Sequence, residues 1–212
     1  MRASPSVLFT ISILFSLSEV ARASPGGDSE TLGGFYLRTD LGLGVLVSKA
    51  MDEPLVANAN QDEPSIALDL LVGHELSESV ACGGALLLEQ GFAPGSPAND
   101  TGGRAERVRS GVVGPFLDLY PPWGSGVHLG GTLGLSWTRF DSTGGSSLTV
   151  NALGLGGALW VGQDVAVSSH WSLGPLIRLV GERERDTATS DDRAWAQSLT
   201  LALTAVYRST HQ

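Results

Sequence analysis

Hydrophobic and polar residues alternate along the stretch GGFYLRTDLGLGVLVS, residues 33–48. The odd positions are mostly large and apolar: Phe35, Leu37, Thr39, Leu41, Leu43, Val45 and Val47. The even positions are mostly charged, polar or glycine: Tyr36, Arg38, Asp40, Gly42, Gly44, Leu46 and Ser48. Successive side chains of a β-strand point to opposite faces. This period of two therefore predicts a strand with one large apolar face.

The same alternation recurs along the chain. It predicts eight strands, at residues 34–48, 65–76, 79–90, 108–120, 126–138, 148–162, 170–181 and 194–208. Long polar connections at 49–64, 91–107, 140–147 and 182–193 alternate with shorter ones at 77–78, 121–125 and 163–169. If the strands run up and down, the long and short connections gather at opposite ends of the sheet. Pro115 and Pro175 fall inside predicted strands, where we expect β-bulges because proline cannot donate to the ladder.

The first 23 residues have the pattern of a secretory signal peptide. Arg2 precedes an apolar run at 7–17, and Ala21-Arg22-Ala23 is a small-x-small cleavage pattern. An N-terminal anchor helix is the alternative, although the run is short for a spanning helix. The expected organisation is therefore a signal peptide at 1–23, a short periplasmic segment at 24–32, one β-domain at 33–208 and a tail at 209–212.

Composition narrows the function classes. The net charge of −9 argues against nucleic acid as a partner, because nucleic-acid binding needs basic patches. The single cysteine, Cys82, excludes an internal disulfide, and we interpret it as a small apolar filler on the outer face. The 28 glycines among 212 residues exceed the usual share of about 7%. Many alternate within the predicted strands, on the face opposite the large apolar residues.

Two architectures fit such strands. In a secreted, soluble β-sandwich or lipocalin-like binder, the apolar faces would form the core. In a transmembrane barrel, they would face lipid and the other face would line a narrow lumen. The glycine-rich face favours the barrel, because an eight-stranded barrel leaves an interior just wide enough for side chains to fill. We therefore predict an all-β, eight-stranded, antiparallel up-and-down barrel. Its aromatic girdles are expected to include Tyr36, Tyr120, Trp123, Trp137, Trp160, Trp171, Trp195 and Tyr207.

With its strand count, alternation, unequal loops and near-terminal LTLALTAVYR, the chain resembles the small eight-stranded outer-membrane β-barrels of Gram-negative bacteria, the OmpA/OmpX type. The resemblance covers roughly residues 33–208. It implies location in the cell outer membrane and a lipid bilayer as surroundings, with a monomer expected. Family members end on an aromatic residue that assembly machinery recognises. Tyr207 would be that residue, although five residues follow it.

Charged residues on the inner face are expected to pair, because buried charges persist only when paired and hydrogen-bonded. One group is expected in the half of the lumen near the short turns: Arg38, Asp40, Glu75, Asp118, His128 and Arg208. A second is expected higher: Asp69, Glu89 and Arg178. We favour a network that plugs the lumen, and a proton or ion path is the alternative.

The sequence indicates no cofactor, no metal site and no convincing catalytic constellation. A lipid-modifying outer-membrane enzyme is an alternative that would use His74, yet Glu75 should point to the opposite face. A structural or surface-interaction role is expected instead, carried by polar external loops such as 182–193. Lipopolysaccharide is a candidate partner of those loops, through divalent ions.

Overall fold

In a computed structural model of the chain, the described residues are 34–51, 61–92, 105–122, 126–142, 149–186 and 193–209. They form nine β-strands: β1 Phe35–Met51, β2 Gln61–Ser77, β3 Val80–Phe92, β4 Ala105–Leu119, β5 Val127–Ser142, β6 Thr149–Gln163, β7 Val165–Ala166, β8 Trp171–Asp186 and β9 Arg193–Arg208. Within these ranges, there is no helix of the length and apolarity needed to cross a bilayer. The predicted signal peptide lies outside the described residues.

The eight long strands close into a barrel. Sequence neighbours from β1 to β6 pair antiparallel, β6 pairs with β8, β8 with β9, and β9 returns to β1 from Tyr36↔Arg208 to Met51↔Arg193. The two-residue β7, which the sequence pattern did not predict, pairs with β8 alone. Closure leaves the eight long strands without a free edge, the condition that hydrocarbon imposes on a spanning sheet. The eight predicted strands are thus confirmed.

The large apolar residues face outward all around the barrel. Leu43, Leu133 and Leu155 are 70–74% exposed, although a water-soluble fold would bury them. They belong to an apolar belt that also includes Leu41, Leu68, Leu70, Leu135, Ile177, Leu201 and Leu203. A continuous exposed apolar surface around the whole barrel identifies a membrane-facing wall. The sandwich and lipocalin-like alternatives are excluded, because the apolar rows do not meet one another in a core.

The interior combines small, polar and a few large residues. Leu71, Leu87, Val112, Phe116 and Leu176 are buried in one inner cluster, together with several alanines. The sequence pattern had indicated a barer face. These larger side chains fit because many of the remaining inner positions are glycine, alanine or serine.

The strands extend further at the long-loop end than the alternation predicted. Residues 182–193 were expected to form a loop, but Glu182–Asp186 belongs to β8 and Arg193 to β9. Glu182 and Glu184 face inward, and Arg183 and Arg185 face outward. The alternation continues there as acid and base, a pattern that a search for apolar residues misses. Residues 187–192 lie outside the described part.

The expected bulges at Pro115 and Pro175 are wrong, because the register of β4 and β8 continues unshifted through both residues. Each proline instead lies at a gap in the ladder to one neighbour. The paired residues of β4 and β5 pass from Val113 to Phe116, and the Thr132 hydroxyl donates to the Pro115 carbonyl at 2.7 Å. Pro175 lies between the residues of β8 that pair with β6 and those that pair with β7. The backbone N–H that each proline lacks is therefore missing at a position where the ladder to one neighbouring strand is interrupted.

The apolar belt predicts that the cost of a charged substitution depends on its depth in the bilayer. Leu133→Arg, in the middle of the exposed face of β5, should lower the free energy of unfolding in lipid bilayers by about 2–4 kcal/mol, because a charge at the bilayer midplane is costly. Gln197→Arg, on the exposed face of β9 near its extracellular end, should cost about 0–1 kcal/mol. Urea unfolding in vesicles measures both. Equal costs at the two positions would contradict a lipid-facing belt.

Candidate functional site: the charged interior of the barrel

The barrel interior holds two groups of buried charges. One group, which we name the lower cluster, lies toward the end with the short turns. It comprises Arg38, Asp40, Asp118, Tyr36, His128 and Trp160. The upper cluster comprises Arg178, Asp69, Glu89, Ser65, Ser198 and Thr200. Long connections are typical of the extracellular side of such barrels, and short turns of the periplasmic side. The lower cluster therefore lies toward the periplasm.

Asp118 is the shared acceptor of the lower cluster. Its carboxylate accepts hydrogen bonds from Arg38 Nη1 at 2.8 Å, the Tyr36 hydroxyl at 2.8 Å, His128 Nδ1 at 3.0 Å and Trp160 Nε1 at 3.1 Å. Arg38 also donates to Asp40 through Nε and Nη2, and its guanidinium lies 4.5 Å from the centroid of the Trp160 ring. Arg38 and Asp118 are both fully buried. Four strands, β1, β4, β5 and β6, are thereby tied across the lumen.

Two glycines make room for the bulky donors of this cluster. A Cβ at Gly130 would lie 2.5 Å from Trp160 Nε1, and one at Gly162 would collide with His128 Nε2. Both glycines lie on strands adjacent to the side chain that they accommodate, β5 beside β6. The glycine-rich inner face is therefore complementary to the few large polar residues that it encloses.

The periplasmic mouth continues the network. Arg208 lies 3.2 Å from Glu75, and its guanidinium stacks 3.8 Å from the centroid of Tyr120. The Tyr120 hydroxyl lies 3.2 Å from that of Tyr36 and donates to Asp164 at 3.4 Å. Asp164, in the β6–β7 connection, also lies 3.6 Å from His128 Nε2. Burial raises the pKa of the Asp164 carboxyl above its ordinary value, although His128 acts in the opposite direction.

The upper cluster is organised around Arg178 of β8. Its guanidinium pairs with Asp69 of β2 and with Glu89 of β3, the latter at 2.8 Å, and donates to Thr200 at 3.3 Å. Glu89 also accepts from the hydroxyls of Ser65 and Ser198. Arg178 thus spans the lumen in the same way as Arg38 does below it.

Three buried acids of the interior were missed from the sequence, Glu63 of β2 and two on β8. Glu182 and Glu184 of β8 face the lumen, and Glu182 accepts from the Thr138 hydroxyl at 3.1 Å. Both were assigned to an external loop. Their parity with Arg178 was the signal that could have placed them inside.

Three aromatic assignments are corrected. Tyr36, Tyr120 and Trp160 were expected in the membrane girdle, but their side chains lie inside the barrel. Their parity explains this, because they share the inner face with Arg38, Asp118 and Ala158 respectively.

The other girdle candidates that are described lie on the outer parity. Trp171 packs against Tyr207 at the periplasmic end, with ring centroids 5.2 Å apart. Trp137 and Trp195 are half-buried near the opposite end, and Trp137 covers Gly111. Trp123 lies outside the described residues.

His74 and Glu75 do not form a pair. His74 is exposed on the outer face, whereas Glu75 faces the interior and pairs with Arg208. Among the described residues, no group of three or more His, Cys, Asp or Glu side chains has an arrangement that could hold a metal ion.

A closed antiparallel sheet of eight long strands, with an apolar belt outside and paired charges inside, defines a transmembrane β-barrel of the outer-membrane type. The chain is a small eight-stranded transmembrane β-barrel whose apolar belt faces lipid.

Solved barrels give the following comparison. Neisserial surface protein A is 16% identical over 82% of this chain and 98% of its own, with a TM-score of 0.49. Ail, the attachment invasion locus protein of Yersinia pestis, is 15% identical over 82% and 98%, with a TM-score of 0.47. OprG of Pseudomonas aeruginosa is 15% identical over 84% and 97%, with a TM-score of 0.47. No protein-family model and no curated protein sequence matches the chain.

The lower cluster generates a stability prediction. Asp118→Asn should lower the free energy of unfolding by about 3–5 kcal/mol, because it breaks the buried ion pair between Asp118 and Arg38 and leaves Arg38 with Asp40 alone. Glu75→Gln removes an acid from the half-buried pair with Arg208 and should cost about 1 kcal/mol or less. Urea titration of the refolded protein, followed by the gel mobility of the folded form, measures both. If Asp118→Asn lowers the free energy of unfolding no more than Glu75→Gln does, the lower cluster does not stabilise the barrel.

Proposed function

We propose that this protein is a closed, structural outer-membrane barrel that presents polar loops at the cell surface, with its lumen plugged by its own side chains. The observation that carries this proposal is the pair of buried arginines: Arg38 pairs across the lumen with Asp118 of β4, and Arg178 pairs with Asp69 of β2 and Glu89 of β3. Side chains lining a hydrated pore would keep their contact with water. These arginines are at most 1% exposed.

The size of the barrel supports a plugged lumen. Eight strands enclose a space that side chains can fill, whereas aqueous channels are found in barrels of about sixteen strands. The inner cluster around Leu71, Leu87 and Phe116 adds apolar side chains that favour exclusion of water.

Conductance tests the plug. The refolded protein in planar bilayers should give no stable conductance steps, because two charged clusters and an apolar cluster occupy the lumen. The matched variant is Arg178→Ala, which shortens the side chain that spans the upper cluster. It should raise ion leakage if it remains folded on a gel. Stable, stepwise conductance by the unaltered protein would overturn the plugged-barrel proposal.

The surface role is proposed for the long connections. Binding residues are disproportionately found on loops positioned by a rigid scaffold. The connection between β8 and β9 is polar, TATSDD at 187–192, and it joins strands whose pairing continues to Glu184↔Ala194 and Arg185↔Arg193. A change confined to 187–192 therefore spares the ladder, whereas removal of 182–193 would cut into β8 and β9.

Deletion of 187–192 with a two-residue Asn-Gly turn in its place should leave assembly intact, because Asn-Gly suits a tight hairpin. The same replacement at 143–148, between β5 and β6, tests the neighbouring connection. Expressing cells are tested for retention on immobilised extracellular-matrix proteins. Loss of retention in at least one variant, with normal heat-dependent gel mobility, is the expected result. Unchanged retention in both would exclude these two loops as the interaction surface.

We further propose that the barrel acts as a monomer and has no catalytic role. Closure of β1 on β9 leaves the eight long strands with no free edge for pairing with another chain. The exposed His74 has no orienting carboxylate on its own face of β2, where its neighbours are Val72 and Leu76. Tyr207, on the outer face of the last strand, is proposed to be the residue that assembly machinery recognises.

A further inference from the structure

His128 lies between two carboxylates at the periplasmic end of the lumen. Its Nδ1 lies 3.0 Å from Asp118 Oδ1, and its Nε2 lies 3.6 Å from Asp164 Oδ1. The imidazole is fully buried, and Asp164 is 9% exposed. Within the described part of the chain, neither Nε2 nor Asp164 Oδ1 has a hydrogen-bond partner. Two buried polar atoms therefore face each other at the distance of an ion pair.

This geometry restricts the protonation state of His128. An ionised carboxylate only accepts hydrogen bonds, and a neutral imidazole carries a single N–H. Asp118 is ionised because it pairs with the buried Arg38, so the proton of a neutral His128 belongs on Nδ1. Nε2 would then direct a lone pair at the Asp164 carboxylate. A second proton is therefore required, either on Nε2 or on Asp164.

The surrounding charges favour Nε2 as the site of that proton. The lower cluster contains two carboxylates, Asp40 and Asp118, and one arginine, Arg38. An imidazolium at His128 brings this fully buried group to neutrality, which burial of charge demands. The negative charge then remains on Asp164 at the mouth of the lumen, where Arg208 attracts it.

The other ionisable side chains described at this end of the lumen do not replace that charge. They are two tyrosines, Tyr36 and Tyr120, and the pair of Arg208 and Glu75. The Tyr120 ring stacks on the imidazole, with centroids 5.2 Å apart. Arg208 lies over the outer part of this stack, 3.8 Å from the Tyr120 centroid, and is already paired with Glu75. The inward-facing residues of β3 and β8 at this level are not ionisable: Ala81, Gly83, Ser172 and Gly174.

The backbone holds Asp164 in this position. Asp164 lies between the end of β6 and the start of β7, and its N–H donates to the Gly126 carbonyl at 2.7 Å. Gly126 has a φ of 75°, and a Cβ there would collide with the Asp164 carbonyl oxygen. A Cβ at Gly162 would collide with His128 Nε2. Both glycines therefore allow the carboxylate and the imidazole to approach each other.

We propose that His128 is an imidazolium held between Asp118 and Asp164, and that this pair of contacts is a pH-sensitive latch that fastens the β6–β7 connection across the periplasmic mouth. The latch is closed while His128 carries both ring protons. It weakens as the pH rises and Nε2 loses its proton, and protonation of Asp164 weakens it at the acidic end. Arg38 and Arg178 occupy the lumen in either state. The proposal therefore goes beyond the plugged-barrel function and can fail without affecting it.

Nitrogen NMR of the histidine rings tests the imidazolium directly, in the refolded protein labelled with 15N-histidine. At about pH 7.5 an exposed histidine is neutral, whereas His128 should show two protonated ring nitrogens. His74 and His170, both exposed, are internal controls in the same spectrum. His128→Gln assigns the signal by removing it. Asp164→Asn removes one of the two carboxylates and should leave His128 with a single ring proton at the same pH.

Hydrogen exchange tests whether the imidazolium fastens the connection. When the pH is raised until NMR shows loss of the second proton, the protection of the Asp164 N–H should fall about tenfold, the expected loss for a hydrogen bond between charged groups. Protection is corrected for the intrinsic exchange rate at each pH. The Glu75 N–H, which donates to the Gly34 carbonyl at 2.9 Å at the same end of the barrel, is the matched control and should not change.

Two outcomes would overturn the proposal. The first is a single protonated ring nitrogen on His128 at about pH 7.5, which would assign any second proton to Asp164. The second is unchanged protection of the Asp164 N–H after His128 has lost its proton, which would mean that the charge does not hold the connection. Neither outcome bears on conductance, which tests the plugged lumen separately.

Discussion

The structure depends on one constraint: inside a membrane, every backbone N–H and C=O must find its partner within the protein. The pairing of β1 with β9, from Tyr36↔Arg208 to Met51↔Arg193, meets this constraint by closing the sheet. Closure then fixes the two faces of each strand. The belt residues such as Leu43 and Leu133 contact lipid, and the opposite parity is confined to a narrow interior. Even Pro115 and Pro175 follow the constraint, because each lies where the ladder to one neighbour is already open.

Confinement explains the composition of the interior. Side chains of neighbouring strands crowd one another on the inner face, so Trp160 and His128 each lie over a glycine of the adjacent strand, Gly130 and Gly162. The charges of the lower and upper clusters are removed from water and pair with one another. Asp118 therefore collects four donors. The proposed plug and the proposed stability of the barrel are two consequences of the same packing.

The sequence predicted the architecture well because the period of two is repeated in every long strand. It also identified Arg38, Asp118, Arg178 and their neighbours as candidates, since charges at inner positions stand out against glycine and alanine. It could not specify which partners meet, because barrel register decides that Arg178 reaches β2 and β3. The three aromatics misplaced in the girdle were assigned by their closeness to turns, although parity places them inside. The outer ends of β2, β5 and β8 were missed because polar residues occupy both faces there.

The central claim is that hydrocarbon surrounds the apolar face while the other face turns inward. Quenching of tryptophan fluorescence by lipids brominated on the acyl chain tests it most directly. One variant keeps Trp160 as its sole tryptophan, and a second adds Leu133→Trp to it. Strong quenching in the second variant and little in the first is the predicted result. Equal quenching in the two variants, or no quenching of the tryptophan at position 133, would contradict this claim.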